Sequence, residues 1–198
     1  MSEALIPALV AQDLEVRRGT TTIVSGLDWR HEPGCIAWLV GPNGSGKSSL
    51  MRVLAGIAAP TRGLVVRSGQ GRLGYYHPAM RLPGNVRASA FARLGPQPHR
   101  GNVTLAPERA LARKRARALS TGEEKRLLLG MILGTDRQFL FLDEPYEHLS
   151  REAHATLTDT LVRVARSSVV LVATNQDVPT EAGGVVVSLR FGGIAAGS

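Results

Sequence analysis

The 198-residue chain holds a single cysteine, Cys35. A lone cysteine excludes an internal disulfide framework and any zinc site built from several cysteines. The opening residues, MSEALIPALVAQD, lack the basic start and apolar core of a signal peptide, which points to a cytoplasmic protein. Long apolar runs are missing too: stretches such as SSVVLVATN and QFLFLDEP fall far short of the ~20 residues a helix needs to cross a bilayer. No internal repeat and no low-complexity linker divides the chain, so its length suits one packed domain with at most a small lobe. Acidic residues are in deficit, 16 against 24 Lys and Arg, leaving a net charge of +8. That excess suits nucleic acid, an anionic membrane face or phosphate ligands. Eight arginines fall between Arg81 and Arg117, where a solvated helix face is the simpler explanation, so charge alone decides little.

The N-terminal third reads as strands. LVAQDLEVRR and TTIVSGLDWR carry β-branched residues and partial alternation, GCIAWLV is a buried-strand run, and GLVVRSG and GRLGYYH are shorter extended pieces. Between them, KSSLMRVLAGI places Leu50, Val53, Leu54 and Ile57 on one helix face, with APTRG ending the helix. From about Pro78 to Leu119 strand patterns vanish and prolines break the chain into short pieces; PERALARKRARAL is the one convincing helical pattern. After it come a helix TGEEKRLLLGMILG, a strand QFLFLDEP, a helix REAHATLTDTLVRVARS, a strand SVVLVATN and an extended pair around GVVVSLRFGG. Strands alternating with helices predict a mostly parallel sheet covered on both faces.

GPNGSGKSS, comprising Gly41, Pro42, Asn43, Gly44, Ser45, Gly46, Lys47, Ser48 and Ser49, fits G-x-x-x-x-G-K-S between a buried strand and a helix. Glycines let successive backbone N–H groups curl around phosphate oxygens, and the helix N-terminus adds its positive dipole end. Lys47 would reach the outer phosphates and the Ser48 hydroxyl would bind Mg²⁺. FLFLDEP would deliver Asp143 to a strand tip as a second anchor for the ion, with Glu144 as candidate base for water.

ALSTGEEKRLLLG, Ala118 to Gly130, sits about twenty residues before that acidic pair and resembles the signature motif of the ATP-binding cassette (ABC) ATPases. The resemblance spans roughly Leu9 to Gly193 and implies an α/β fold: a P-loop NTPase of ABC type, with a mostly parallel core sheet, an N-terminal antiparallel β part and a small helical lobe. It also implies one ABC ATPase domain over 1–198, with a core lobe of about 1–77 and 119–198 and a helical lobe of about 78–118. Ser120, Gly122 and Glu123 begin a helix and form an anion site, which in the family faces the γ-phosphate held by a second ABC ATPase subunit. ATP and Mg²⁺ are the implied ligands, and a homo- or heterodimer the implied working form.

Departures from the family pattern bear on rate. Where an aromatic residue usually stacks on adenine stand Arg17, Arg18 and Gly19; a guanidinium plane can stack on a base, and equally both arginines can be solvated. The family's glutamine at the metal, or its water, aligns with His77, which can hydrogen-bond a water or bind the ion when neutral or simply face solvent. Ser150 replaces an aspartate that reaches across the dimer. The switch histidine is Asn175, whose amide can donate to phosphate but carries no charge and shuttles no proton. Loss of one such donor can cost on the order of 10²–10³ in rate, so slow turnover is expected.

The resemblance is to a stand-alone cassette subunit working with a multi-spanning membrane transporter subunit on the inner face of the cell membrane, most like the small haem-exporter-type cassette of cytochrome c maturation. No C-terminal regulatory domain or second cassette is expected, and no specific nucleic acid partner. Two alternatives remain at this stage: a soluble regulatory or assembly ATPase, and a cassette that binds ATP with attenuated hydrolysis in an asymmetric heterodimer.

Overall fold

The computed structural model describes residues 6–69, 71–94, 113–134, 137–190 and 193–196. Near the N-terminus β1 (Ala8–Arg18) and β2 (Thr21–His31) form an antiparallel hairpin, closed where Arg18 pairs with Thr21. β4 (Arg62–Ser68) pairs with the other side of β1, giving a three-stranded antiparallel sheet in the order β2-β1-β4.

The second sheet runs β5-β6-β7-β3-β8-β9. Its strands are β3 (Ile36–Val40), β5 (Arg72–Tyr76), β6 (Arg137–Asp143), β7 (Val169–Thr174), β8 (Val185–Arg190) and β9 (Gly193–Ala196). Pairing is parallel from β5 through β8, and only β9 is antiparallel. A parallel sheet needs cover on both faces, so its strands read as unbroken apolar runs. Alternation then sorts those runs. Trp38, Leu140, Leu142, Val170 and Val172 face one cluster with Leu127, Leu129, Leu157 and Leu161; these leucines come from α3 (Thr121–Leu133) and α4 (Arg151–Ala165). Ala37, Leu39, Phe139, Phe141 and Leu171 face the other, with Leu50, Met51 and Leu54 of α1 (Lys47–Leu54) and with Leu9, Leu14 and Ile23 of the hairpin.

Two expectations need correction. α1 stops at Leu54, because the chain turns at Gly56 with φ 72 and the Gly56 N–H bonds to Val53; Ile57 therefore leaves the helix face and is 48% exposed. The end of the expected PERALARKRARAL helix is not helical either. Arg115 is extended and bridges Arg87 antiparallel, and Ala116–Ala118 is a single 3₁₀ turn; residues 107–112 lie outside the described residues. A strand-like contact thus sets Arg87 opposite Arg115, both exposed. The short α2 (Ala88–Leu94) and its neighbours share the main core, since Leu82, Ala88, Phe91 and Ala116 belong to the cluster built on α3.

Candidate functional site

Four neighbouring strands, in the order β5, β6, β7, β3, end at the same edge of the parallel sheet. Beyond those ends lie, in turn, His77, the Asp143–Glu144 pair, Thr174–Asn175 and the glycine loop. Residues nearly a hundred positions apart in sequence therefore sit side by side, where open α/β sheets bind their ligands.

Sterics shape the loop. A Cβ at Gly41 would collide with the Leu189 carbonyl oxygen, and one at Gly46 with the Ile23 side chain; Gly46 also holds φ 99. Gly46 precedes α1, and no side chain caps that helix. Its first N–H groups are thus left for an acceptor brought from outside. Ser45 is buried and its hydroxyl has no partner among the described residues. Lys47 is 5% exposed; its Nζ donates to Gly41 O at 2.7 Å and Pro42 O at 3.2 Å.

Glu144 lies 3.3 Å from Lys47 Nζ through Oε1 and accepts the Asn175 N–H through Oε2 at 3.1 Å. Its backbone is left-handed, φ 46. Burial pushes its carboxyl above the usual range, while the Asn175 N–H and Lys47 pull the other way. A carboxylate raised by burial is a stronger proton acceptor than an exposed one. Asp143 is 1% exposed and neither of its oxygens accepts a hydrogen bond of good geometry; burial raises it too, opposed by nearby Ser48, His77 and Lys47. A buried carboxylate without a partner beside a serine hydroxyl is the donor set of a hard cation such as Mg²⁺. Among the described residues no group of three His, Cys, Asp or Glu gathers to hold a metal, so an ion here would need phosphate oxygens to complete its shell.

His77 Nε2 stands 3.9 Å from Asp143 Oδ2 and its Nδ1 accepts the Ala79 N–H at 3.0 Å. With Nδ1 accepting, a neutral imidazole carries its proton on Nε2 and faces Asp143 as a donor. In that tautomer His77 can orient a water or phosphate oxygen but cannot ligate the ion through Nε2. Asn175 Nδ2 donates to Asn43 Oδ1 at 2.9 Å, which ties the β7 loop to the glycine loop.

The remaining expected residues lie apart from this group. Arg18 is exposed at the hairpin end, two residues along the partner strand from Ile23, whose side chain fills the space beside Gly46. Ser120 caps α3 in a capping box: its Oγ accepts the Glu123 N–H at 3.3 Å, and Glu123 Oε2 accepts the Ser120 N–H at 2.8 Å. The Glu123 carboxylate is held below its usual range by that backbone bond and by Lys114. A Cβ on Gly122 would sit 3.1 Å from His148 O. Among the described residues, no hydrogen bond or ion pair joins Ser120, Gly122 or Glu123 to the glycine loop. Ser150 caps α4, accepting the Ala153 N–H at 3.3 Å.

Two residues were missed in the sequence. Glu124 Oε1 accepts the Leu82 N–H at 2.7 Å. Lys125, 5% exposed, donates to the carbonyls of Glu144 at 2.8 Å and Glu147 at 2.7 Å; burial pushes its ammonium down to about 8, against Glu147 and Glu144. The available signal was its helical spacing with Leu128 and Leu129, which puts a lysine on a buried face.

This geometry agrees with comparison to known proteins. A family model described as ABC transporter matches residues 24–147. Among solved structures, a protein assigned as an ABC transporter ATP-binding protein from Pyrococcus furiosus is 19% identical, with 92% of this chain and 97% of that one covered and a TM-score of 0.77. The ATP-binding cassette MJ0796, a dimer in a post-hydrolysis state bound to ADP and Pi, is 16% identical, covering 94% of this chain and 96% of that one at TM-score 0.77. A bacterial Atm1-family ABC exporter with ATP bound is 20% identical over 96% of this chain and 38% of its own, at TM-score 0.78. The structural likenesses carry the fold, and the family match, which takes in the glycine loop, the capped turn at Ser120 and the acidic pair, carries membership: this chain belongs to the ABC transporter family.

Proposed function

We propose that the chain is the ATP-binding and hydrolysing subunit of a membrane ABC transporter, a single cassette domain acting through nucleotide-driven pairing with a second cassette. The observation that carries this reading is Glu144, raised by burial and held between Lys47 Nζ and the Asn175 N–H beside the glycine loop. Backbone N–H groups from Gly44 to Ser49, with the Ser45 hydroxyl, cradle the ATP phosphates. Lys47 exchanges its carbonyl partners for the outer phosphates, which frees the Glu144 carboxylate to take a proton from the attacking water. Ser48 and Asp143 would hold Mg²⁺, which when bound would supply charge neutralisation at the phosphates; His77 would orient a water or phosphate oxygen there. Arg18 reaches the base, and the turn of Ser120, Gly122 and Glu123 serves the nucleotide of the opposite cassette.

No described helix is long and apolar enough to cross a membrane, so the proposed partner is a multi-spanning membrane subunit that places this chain on the cytoplasmic face. The Asn175–Asn43 bond favours a second reading, slow hydrolysis in an asymmetric heterodimer, because the switch amide is already engaged. Steady-state ATPase of the purified complex, wild type beside Glu144→Gln, tests the enzyme. Equal inactivity of the two with ATP still bound would leave a binding module, and a chain that never co-purifies with a membrane protein would favour a soluble ATPase.

A further inference from the structure

Three consecutive charged residues near the start of α3 hold three different neighbours. Glu123 closes the capping box and pairs with Lys114 at 2.9 Å. Glu124 takes the Leu82 N–H in the segment following His77. Lys125 reaches the loop after β6, donating to the carbonyls of Glu144 and Glu147, with its ammonium 5.4 Å from the Tyr76 ring centroid.

That loop needs outside support. Glu144 and His148 are both left-handed, at φ 46 and φ 60, a conformation that disfavours residues with a Cβ and persists only where surroundings enforce it. One tie is the Glu144 N–H to Ala173 O, at 2.9 Å. The Tyr146 hydroxyl adds a hydrogen bond to the Thr158 hydroxyl at 3.0 Å, but the loop carbonyls of Glu144 and Glu147 are held by Lys125. Lys125 is 5% exposed, and burying an ammonium is unfavourable unless its hydrogen bonds are made.

We propose that Lys125 is a positioning residue for Glu144. By bridging the two carbonyls it holds the left-handed turn that aims the Glu144 carboxylate at Lys47 and the Asn175 N–H. It also ties the Ser120–Gly122 turn to the orientation of the carboxylate in its own chain, so that movement of α3 on docking a second cassette is felt at Glu144. The proposal rests on the reading of Glu144 as the base.

The test is steady-state hydrolysis of Mg²⁺-ATP by the purified complex carrying Lys125→Met, Lys125→Arg, Lys125→Gln or Glu144→Gln. Methionine keeps the packing stem and loses the donors. Its expected effect is a fall in kcat on the order of 10–100-fold, the scale of a small misplacement of a reacting group, at unchanged KM. Lys125→Arg recovers most of the loss, with room for the guanidinium in the adjoining 220 Å³ cavity lined by Tyr76, Glu147 and His148. Wild-type kcat in Lys125→Met, with Glu144→Gln inactive, overturns the proposal. So does a fall in kcat matched by lost ATP affinity, which is what a merely structural role predicts. If Lys125→Met does not fold, Lys125→Gln is decisive: reduced kcat at unchanged KM supports the proposal, and wild-type kcat overturns it. Full activity in Glu144→Gln removes the base assignment, and this proposal with it.

Discussion

Asp143→Asn should make the protein more stable while removing its metal response. The carboxylate is 1% exposed and neither oxygen accepts a hydrogen bond of good geometry, and leaving a buried polar group unsatisfied costs about 1–3 kcal/mol, more when charged. A chain of this length shifts Tm by about 2–4 °C per kcal/mol; the amide stays buried and only the charge is relieved, so neutralisation should raise Tm by no more than about 12 °C at neutral pH in EDTA without nucleotide. The pH dependence fixes the sign. Burial raises the folded pKa of Asp143, so the native state binds this proton more tightly than the unfolded chain does, and stability is lost as pH rises from the ordinary carboxylate range through the raised value. The advantage of Asp143→Asn should therefore be full above that window and vanish below the ordinary range. Excess Mg²⁺-ATP reverses the order: the wild type gains about 2.7 kcal/mol at a hundred times Kd, and the variant gains less. Differential scanning calorimetry of both proteins from acid to neutral pH, with and without Mg²⁺-ATP, reads all of this. A variant less stable than wild type at neutral pH, or a gap that persists in acid, would refute the claim that burial outweighs Ser48, His77 and Lys47 at this carboxylate.

Asn175→His replaces an amide bonded to Asn43 with a side chain able to carry charge; kcat should rise by about tenfold or more and fall as pH rises through the imidazole range, near 6.5, in a steady-state pH profile. Gly46→Ala places a Cβ into Ile23 at φ 99; it should destabilise by about 1–3 kcal/mol and abolish ATP binding, measured by urea titration and calorimetry. Ser120→Ala removes the cap of α3 and should cost about 1 kcal/mol in urea unfolding, with ATP affinity of the isolated chain unchanged, because the Ser120 turn makes no hydrogen bond or ion pair to the glycine loop of its own chain among the described residues.

The most local features were the most legible. GPNGSGKSS between a buried strand and a helix, FLFLDEP, and the helix start at Ser120 are each fixed within a few residues by sterics or by main-chain hydrogen bonds. Periodicity found the strands, yet it overran α1, because a left-handed glycine at position 56 ends the helix before the apolar spacing does. It failed at Arg113–Arg115, where a contact with Arg87 outweighs helix propensity.

The fold class, the phosphate loop and the acidic pair can be read from the residues themselves, since strand burial, glycine sterics and charge act over short stretches. Tertiary structure alone decided which side chains share an edge: strand order places His77, Asp143, Asn175 and the loop in adjacent positions, and α3 packing brings Lys125 under Glu144. Those pairings arise from long-range burial of two sheet faces, a free energy summed over the whole chain, so no single stretch of residues encodes them.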